Sequence, residues 1–468
     1  MDVSLVGLGK LGLCSAACFA SKGHHVIGVD SNEEHIEALN SGRCPIDETG
    51  LVPLLDQSRS HLEFTTDYER AVQGSDVTLI IVPTPSNADG RFSNACIETV
   101  LERMAPALKA KQGFHIVDVV STVMPTTCER VFKPKLEQLT GKTCGRDFGL
   151  VYNPEFIALG SVIHDFLHPD MLLIGASDNR SRDAVSALYS STVENDPHYA
   201  LMDLTNAEIT KLTLNCYVTM KISFANELAA VCESIPGGDV DVVTLAVGAD
   251  SRVGRRYLKG GLGFGGPCFP RDNLAFQRCA EDADAQVHLS PRVVNVNGEV
   301  VNRLFTMISE HAPAGSTVAL LGLSYKPGTH IVEESQSVML AAELLDAGYV
   351  VRMHDPKALD CASQLLQGRG VYCTDPYEAV SGASAVAVLT NWPQYERLDI
   401  EELEKRAGPT PLLVDCWRIY KGVPFTRFTY RALGTGKLPS GRIGHDCRSD
   451  ILYQDNKRRA SVLERATV

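Results

Sequence analysis

The sequence predicts an α/β protein with two doubly wound parallel sheets joined by a helical middle. Three observations carry that reading. Apolar strands alternate with helical periodicity through the first third of the chain. A twenty-eight-residue stretch, Ala207 to Ser234, then keeps helical spacing with neither Gly nor Pro. From Thr317 onward, strand, glycine turn and helix return. The expected organisation is an N-terminal nucleotide domain over 1–200, a helical domain over 201–300, a second sheet domain over 301–438 and a polar tail over 439–468. At 468 residues, with 44% hydrophobic and 22% charged residues, the chain can bury a large core. Its net charge of −13 argues against nucleic acid or an anionic membrane as a general partner. Fourteen cysteines without CxxC spacing, and no secretory leader pattern, predict reduced thiols and a cytoplasmic protein. No apolar run reaches the roughly eighteen residues that span a bilayer.

The first strand, Asp2 to Gly7, runs into Gly7-Leu8-Gly9-Lys10-Leu11-Gly12 and then a helical pattern from Leu13 to Ser21. Gly7, Gly9 and Gly12 allow a tight turn, close approach of backbone to a pyrophosphate, and close helix packing, with the helix N-terminus facing the phosphates. A second strand, His25 to Val29, ends at Asp30, where a carboxylate can accept from both ribose hydroxyls and repel a 2′-phosphate. NAD is therefore expected over NADP. Strands at Val77 to Val82 and His115 to Val119 are followed by Pro83-Thr84-Pro85 and Ser121-Thr122, at the sheet edge where open α/β folds gather ligands.

Leu150 to Tyr152 is a short strand left through the bent turn Asn153-Pro154-Glu155-Phe156. Glu155 reads either as a base beside a cofactor or as a capping, solvated carboxylate. On the long helix, Leu212, Cys216, Thr219, Ile222, Phe224 and Leu228 predict more than one buried face. Lys211 and Asn215 stack one turn apart, and the lysine reads as either solvated or ligand-facing. The stretch Asp250 to Asn273 packs five glycines and a proline into the eight residues before Cys268, with Arg252, Arg255, Arg256, Lys259 and Arg271 close by and Asp272 four residues on. It reads as a flexible linker or as a loop presenting a reactive thiol among cations.

The strand Thr317 to Leu323, the helix Ser337 to Ala347 and the strand Val350 to His354 closing on Asp355 repeat the layout of Val3 to Asp30, with further strands at Ala385 to Leu389 and Leu412 to Val414. Gly322 continues as Leu-Ser-Tyr-Lys-Pro-Gly, so this half lacks the full glycine fingerprint and should hold something other than a standard dinucleotide.

Together these residues resemble the nucleotide-sugar 6-dehydrogenase family, from Val3 to about Arg418. The marks are Gly-Phe-Gly-Gly-Pro-Cys-Phe-Pro-Arg-Asp, the Asn-Pro-Glu-Phe turn, Ala-Glu-Ile-Thr-Lys-Leu-Thr-Leu-Asn and Val-Pro-Thr-Pro. The resemblance implies an NAD domain, a helical domain that forms the dimer or a higher homo-oligomer, and a C-terminal nucleotide-sugar domain, with no metal. It also implies a four-electron oxidation at the sugar C6 using two NAD. In that scheme Cys268 forms a thiohemiacetal and then a thioester, Lys211, Asn215 and Asp272 serve the alcohol and its oxyanion, and Glu155 and Thr122 serve hydrolysis. The family pattern places Leu11, Pro83, Thr84, Ser121, Thr122, Glu155 and Cys268 at the cofactor. It places Phe156, Ile157, Ala158, Leu159, Tyr257, Lys259, Gly265, Phe269 and Lys326 at the substrate, with Arg252 reaching across from a partner subunit.

Three positions depart from the family pattern. Leu159 stands where many members carry an acid, and Glu333 where relatives carry an arginine. Trp417 stands where a sugar-binding arginine is expected, a role for which Arg418 is the candidate substitute. UDP-glucose is the first substrate reading, with GDP-mannose and a UDP-N-acetylhexosamine as rivals. A non-catalytic nucleotide-sugar binder would have no need of Cys268, and a two-electron hydroxyacid dehydrogenase would lack a loop cysteine.

Overall fold

A computed structural model describes residues 1–157 and 160–437. It falls into two compact units, residues 1–214 with 274–286, and residues 215–273 with the described residues from 287 on. The first unit holds eight strands: β1 (Asp2–Val6), β2 (His25–Val29), β3 (Leu62–Thr65), β4 (Val77–Ile80), β5 (His115–Val119), β6 (Phe148–Tyr152), β7 (Met171–Ala176) and β8 (His198–Met202). Their order is β3-β2-β1-β4-β5-β6-β7-β8. The first six are parallel, β7 turns antiparallel to β6 through Val151 and Ala176, and β8 pairs parallel to β7. Strands β1, β4 and β5 are almost wholly buried, as a parallel sheet covered on both faces requires. The chain order reverses between β1 and β4, which opens a crevice at their carboxyl ends.

The second unit holds β9 (Thr317–Leu321), β10 (Val350–His354), β11 (Val371–Tyr372), β12 (Ala385–Val388), β13 (Leu412–Asp415) and β14 (Thr429–Ala432). All are parallel, in the order β11-β10-β9-β12-β13-β14. The reversal recurs between β9 and β12.

Six helices matter to the site: α1 (Lys10–Ser21), α2 (Leu204–Ser234), α3 (Val240–Gly248), α4 (Phe269–Asp282), α5 (Leu289–His311) and α6 (Gln336–Asp346). The long helix α2 buries Leu212 and Thr219 fully. Phe224, expected on a buried face, is instead 54% exposed and falls in register with Tyr217 and Val231, so one stripe of the helix is apolar and uncovered. The stripe recurs every seven residues, which keeps it on one side of the helix. No described helix is long and apolar enough to cross a membrane.

The predicted tail over 439–468, like Ala158 and Leu159, lies outside the described residues.

Candidate active site

In the first unit the glycine turn is shaped by what it excludes. Gly7 has φ +98°, and a Cβ there would lie 2.3 Å from the Ile81 carbonyl oxygen. A Cβ on Gly12 would lie 1.9 Å from the Gly7 oxygen, so helix α1 closes directly onto the turn. Gly9 differs, because nothing lies within 4 Å of where its Cβ would be. It is the N-cap of α1 with no side chain capping it and no acid in the first turn. Free amides and the helix dipole therefore face outward, a ready anion site. Asp30 accepts from the Leu8 amide at 2.8 Å and from the Asn32 amide at 2.9 Å. Two donors leave a carboxylate with room for a diol. These features fit a dinucleotide with a free 2′-hydroxyl, whose pyrophosphate Gly9 and the α1 amides would hold and whose ribose Asp30 would hold.

At the neighbouring strand ends, the Ser121 hydroxyl donates to Val82 O at 2.7 Å and accepts from the Val82 amide at 3.0 Å. The Thr84 hydroxyl donates to Thr122 O at 2.8 Å. Ser121 and Thr84 thus join the two loops that end β4 and β5. Pro83 is exposed, Leu11 and Thr122 are half-buried, and all lie in or beside this edge.

Glu155 follows β6. Tyr189 donates its hydroxyl to Glu155 Oε1 at 3.1 Å, and Lys211 Nζ donates to the Glu155 carbonyl at 2.5 Å. The Lys211 ammonium also sits 4.4 Å from the Phe156 ring centroid. Burial raises the Glu155 carboxyl to about 7, against the lowering effects of the Tyr189 hydrogen bond and the Lys211 charge. Asp118, at the centre of β5, is fully buried with no partner for either oxygen. Burial first, and the Glu155 charge second, push its carboxyl well above the usual carboxylate range. Lys211 is only 8% exposed, so it is not a solvated lysine.

In the second unit Cys268 is exposed and immediately precedes α4. One turn on, Asp272 donates its amide to the Cys268 carbonyl at 2.8 Å and accepts from Asn215 Nδ2 at 2.6 Å. Arg271 Nε lies 3.6 Å from the same carboxylate. Asn215 and Asp272 are both buried, so α2 fixes the first turn of the helix that begins beside the thiol.

The glycine loop before Cys268 is an ordered path. The Gly261 amide donates to Asn226 Oδ1 at 2.8 Å, the Gly263 amide to Gln336 Oε1 at 2.7 Å, and the Phe264 amide to Asn297 Oδ1 at 2.7 Å. These acceptors come from α2, α6 and α5. A Cβ on Gly265 would lie 2.3 Å from Glu334 O, and one on Gly266 2.6 Å from the Tyr325 ring. The linker reading therefore gives way: the glycines are there so that backbone can pass this close.

Lys259 is exposed, with its ammonium 5.7 Å from the Trp417 ring centroid, and Lys326 is half-buried beside Tyr325. Tyr257 is exposed with φ +62° and meets Phe269 edge to face. Arg252 pairs with Asp250 at 2.7 Å, and its side chain is 87% exposed.

Arg418 requires a correction. Expected to hold the sugar, it is buried with every donor engaged. Nε and Nη2 bind the two Asp241 oxygens at 2.8 and 2.9 Å, Nη1 reaches Leu433 O and Cys416 O, and Nη2 reaches Gly260 O at 2.6 Å. No N–H remains for a ligand.

The residues that escaped sequence reasoning are Tyr189, Asn226, Asn297, Gln336, Asp241 and Tyr325. Tyr325 lies against Gly266, and burial, with the charge of Cys268 beside it, raises its phenol to about 12.

Comparison with known proteins identifies the family. The family description "UDP-glucose/GDP-mannose dehydrogenase family, NAD binding domain" matches residues 1–193, the central domain of the same family 205–299, and its UDP binding domain 319–422. The UDP-glucose 6-dehydrogenase of Rhizobium meliloti is 35% identical over 446 residues, covering 93% of this chain and 100% of its own. The GDP-mannose 6-dehydrogenase of Pseudomonas aeruginosa is 34% identical over 418 residues, covering 88% of this chain and 91% of its own. The solved structure of a UDP-glucose dehydrogenase from Pyrobaculum islandicum superposes with a TM-score of 0.83 at 34% identity, over 93% of this chain and 98% of that one. The chain belongs to the UDP-glucose/GDP-mannose dehydrogenase family, and its cofactor is NAD.

Proposed function

We propose that this chain oxidises UDP-glucose at C6 to UDP-glucuronate, with Cys268 holding the sugar carbon between two oxidations. The observation that carries the mechanism is the exposed thiol at the head of α4, above a first turn fixed by the Asn215–Asp272 hydrogen bond. NAD, when bound, supplies the acceptor for each hydride. Lys211, Asn215 and Asp272 take up the alcohol proton and stabilise the developing oxyanion. A helix N-terminus favours negative charge, and so the thiolate form, at Cys268. Its sulfur adds to the aldehyde carbon, and the resulting thiohemiacetal presents a tetrahedral carbon for the second hydride loss. The thioester that remains needs an activated water, and Glu155, ionised above about pH 7, is the proposed base for it, with Thr122 as its proposed helper. Phe156, Ile157, Lys259, Tyr257, Gly265, Phe269 and Lys326 are the proposed sugar and nucleotide contacts, together with the Ala158–Leu159 backbone.

The UDP-glucose assignment rests on relatives that carry that activity in their names, of which the Rhizobium protein is matched over its full length. The GDP-mannose 6-dehydrogenase at comparable identity supports the second reading. Domain limits near 200, 300 and 438 and a cytoplasmic setting belong to the same proposal. So does a homodimer, for which the Tyr217, Phe224 and Val231 stripe is the proposed contact and through which Arg252 would reach the partner's site.

The test is NAD reduction against UDP-glucose, GDP-mannose and UDP-N-acetylhexosamines. A kcat/KM for UDP-glucose at least about tenfold above the others is the expected result. A preference for GDP-mannose transfers the assignment to the second reading, and inertness toward all of them overturns both.

A further inference from the structure

We infer that Asp241 and Arg418 form a buried latch that positions the nucleotide-sugar loop, so that both act on substrate affinity without touching substrate. The inference rests on the reading of the Arg252 to Cys268 segment as substrate-binding.

Arg418 is held at φ +59°, a left-handed conformation that costs a side-chain-bearing residue energy and persists where surroundings over-determine it. Its side chain is wholly buried, and Asp241 supplies its counter-charge through two parallel hydrogen bonds. The remaining donors take three carbonyls, and the one at Gly260 belongs to the loop. The peptide between Gly260 and Gly261 is then gripped from both sides, its oxygen by Arg418 at 2.6 Å and its amide by Asn226 at 2.8 Å. Lys259 is the residue before that peptide, so the direction in which its ammonium leaves the backbone is set there.

Asp241 stands in the first turn of α3, whose N-cap Asp239 pairs with Lys421 from the same segment as Arg418. The far end of α3 packs Gly248 against Arg255, where a Cβ would lie 2.9 Å from the Arg255 Cα. Helix α3 is therefore a strut. One end is pinned by Arg418 and Lys421, and the other bears on the Asp250 to Arg255 arm that carries Arg252. Removing the Asp241 charge leaves a buried guanidinium uncompensated, and its carbonyl grips are the contacts free to rearrange.

The experiment compares wild type with Asp241→Asn and Asp241→Glu. For Asp241→Asn, the KM for the nucleotide sugar rises about tenfold while the KM for NAD stays within about twofold and kcat within about threefold, the signature of lost ground-state binding. Alkylation of unliganded Cys268 by iodoacetamide accelerates at least about threefold as the loop loosens. Asp241→Glu recovers most of both effects. A variant with lowered Tm but wild-type sugar KM and wild-type alkylation overturns the latch. If wild type itself reduces no NAD with any nucleotide sugar, the functional reading fails instead, and the alkylation rates alone decide whether the latch orders the loop.

Discussion

Gly7 and Gly322 hold nearly the same left-handed backbone, φ +98° and +100°, each just after the first strand of its sheet, and each sheet's next strand ends in a carboxylate, Asp30 or Asp355. From there the two halves diverge. In the first, α1 begins at Lys10 and its amides face outward, whereas in the second, α6 begins only at Gln336, after an intervening segment that lends Glu334 and Tyr325 to the glycine loop. Asp30 accepts two protein donors. Asp355 accepts six, from the amides of Leu323, Ser324, Lys357 and Ala358, the Ser324 hydroxyl and the Trp392 indole, and is 3% exposed. One turn has been left open for a dinucleotide. The other has been closed on itself, and its unit carries Cys268 instead. A glycine turn with a carboxylate behind it is therefore not by itself a cofactor site: what distinguishes the two is how much of the carboxylate the protein consumes.

On the proposed function, hydride acceptance falls to the first unit and retention of the sugar carbon to the second, and the largest effect should come from separating them. Cys268→Ala should bind NAD normally yet lose at least about a thousandfold in acid formation, by analogy with loss of other nucleophiles. Cys268→Ser should still bind both ligands and oxidise slowly, with the serine ester left by the second oxidation cleaving so slowly that a sugar adduct is visible in the intact-protein mass. Next in size, Lys211→Ala should lose roughly a hundredfold in turnover, the scale for removing one oxyanion donor, with little change in NAD affinity. Turnover within about threefold of wild type would return Lys211 to a merely structural place beside Phe156.

A smaller, pH-dependent effect follows from Glu155. Its raised carboxyl, about 7, means the base form is lost as pH falls below that value, so thioester hydrolysis should drop roughly tenfold from pH 8 to pH 6. Glu155→Gln should remove that limb, and a profile unchanged in the variant would assign the base elsewhere.

The comparison itself is sharpened by the paired variants Asp30→Ala and Asp355→Ala. The first should weaken NAD about tenfold and narrow its preference over NADP, with Tm almost unmoved. The second should leave NAD binding alone and cost about 2–4 kcal/mol of stability, because six donors lose their acceptor. Reversal of these two outcomes would mean that the open and closed turns have been misassigned.

Much of this was legible in sequence because its signals are local. The Gly7 to Gly12 spacing, Asp30 at the next strand end, and the glycine density before Cys268 each declare themselves within a few residues. The antiparallel turn of β7 had no such signal, since it depends on Val151 meeting Ala176. Phe224 is uncovered in this chain, which spacing alone does not reveal, because helical spacing reports which residues share a face and not whether this chain covers that face. Arg418 was misread for a related reason: its partners Asp241 and Gly260 lie more than 150 residues away in sequence, and nothing near Arg418 announces them. The glycine loop's amide acceptors, Asn226, Asn297 and Gln336, sit on three separate helices, each locally an ordinary polar residue.

In the proposed mechanism two hydrides leave the same carbon to two NAD in succession while Cys268 keeps the carbon from escaping. Counting NADH formed per nucleotide sugar consumed, with NAD in excess and the wild-type protein, tests this directly. Two NADH per sugar, with the acid as sole product and no free aldehyde trapped by hydroxylamine, is the predicted result. One NADH per sugar, or free aldehyde released in proportion to it, would contradict the account.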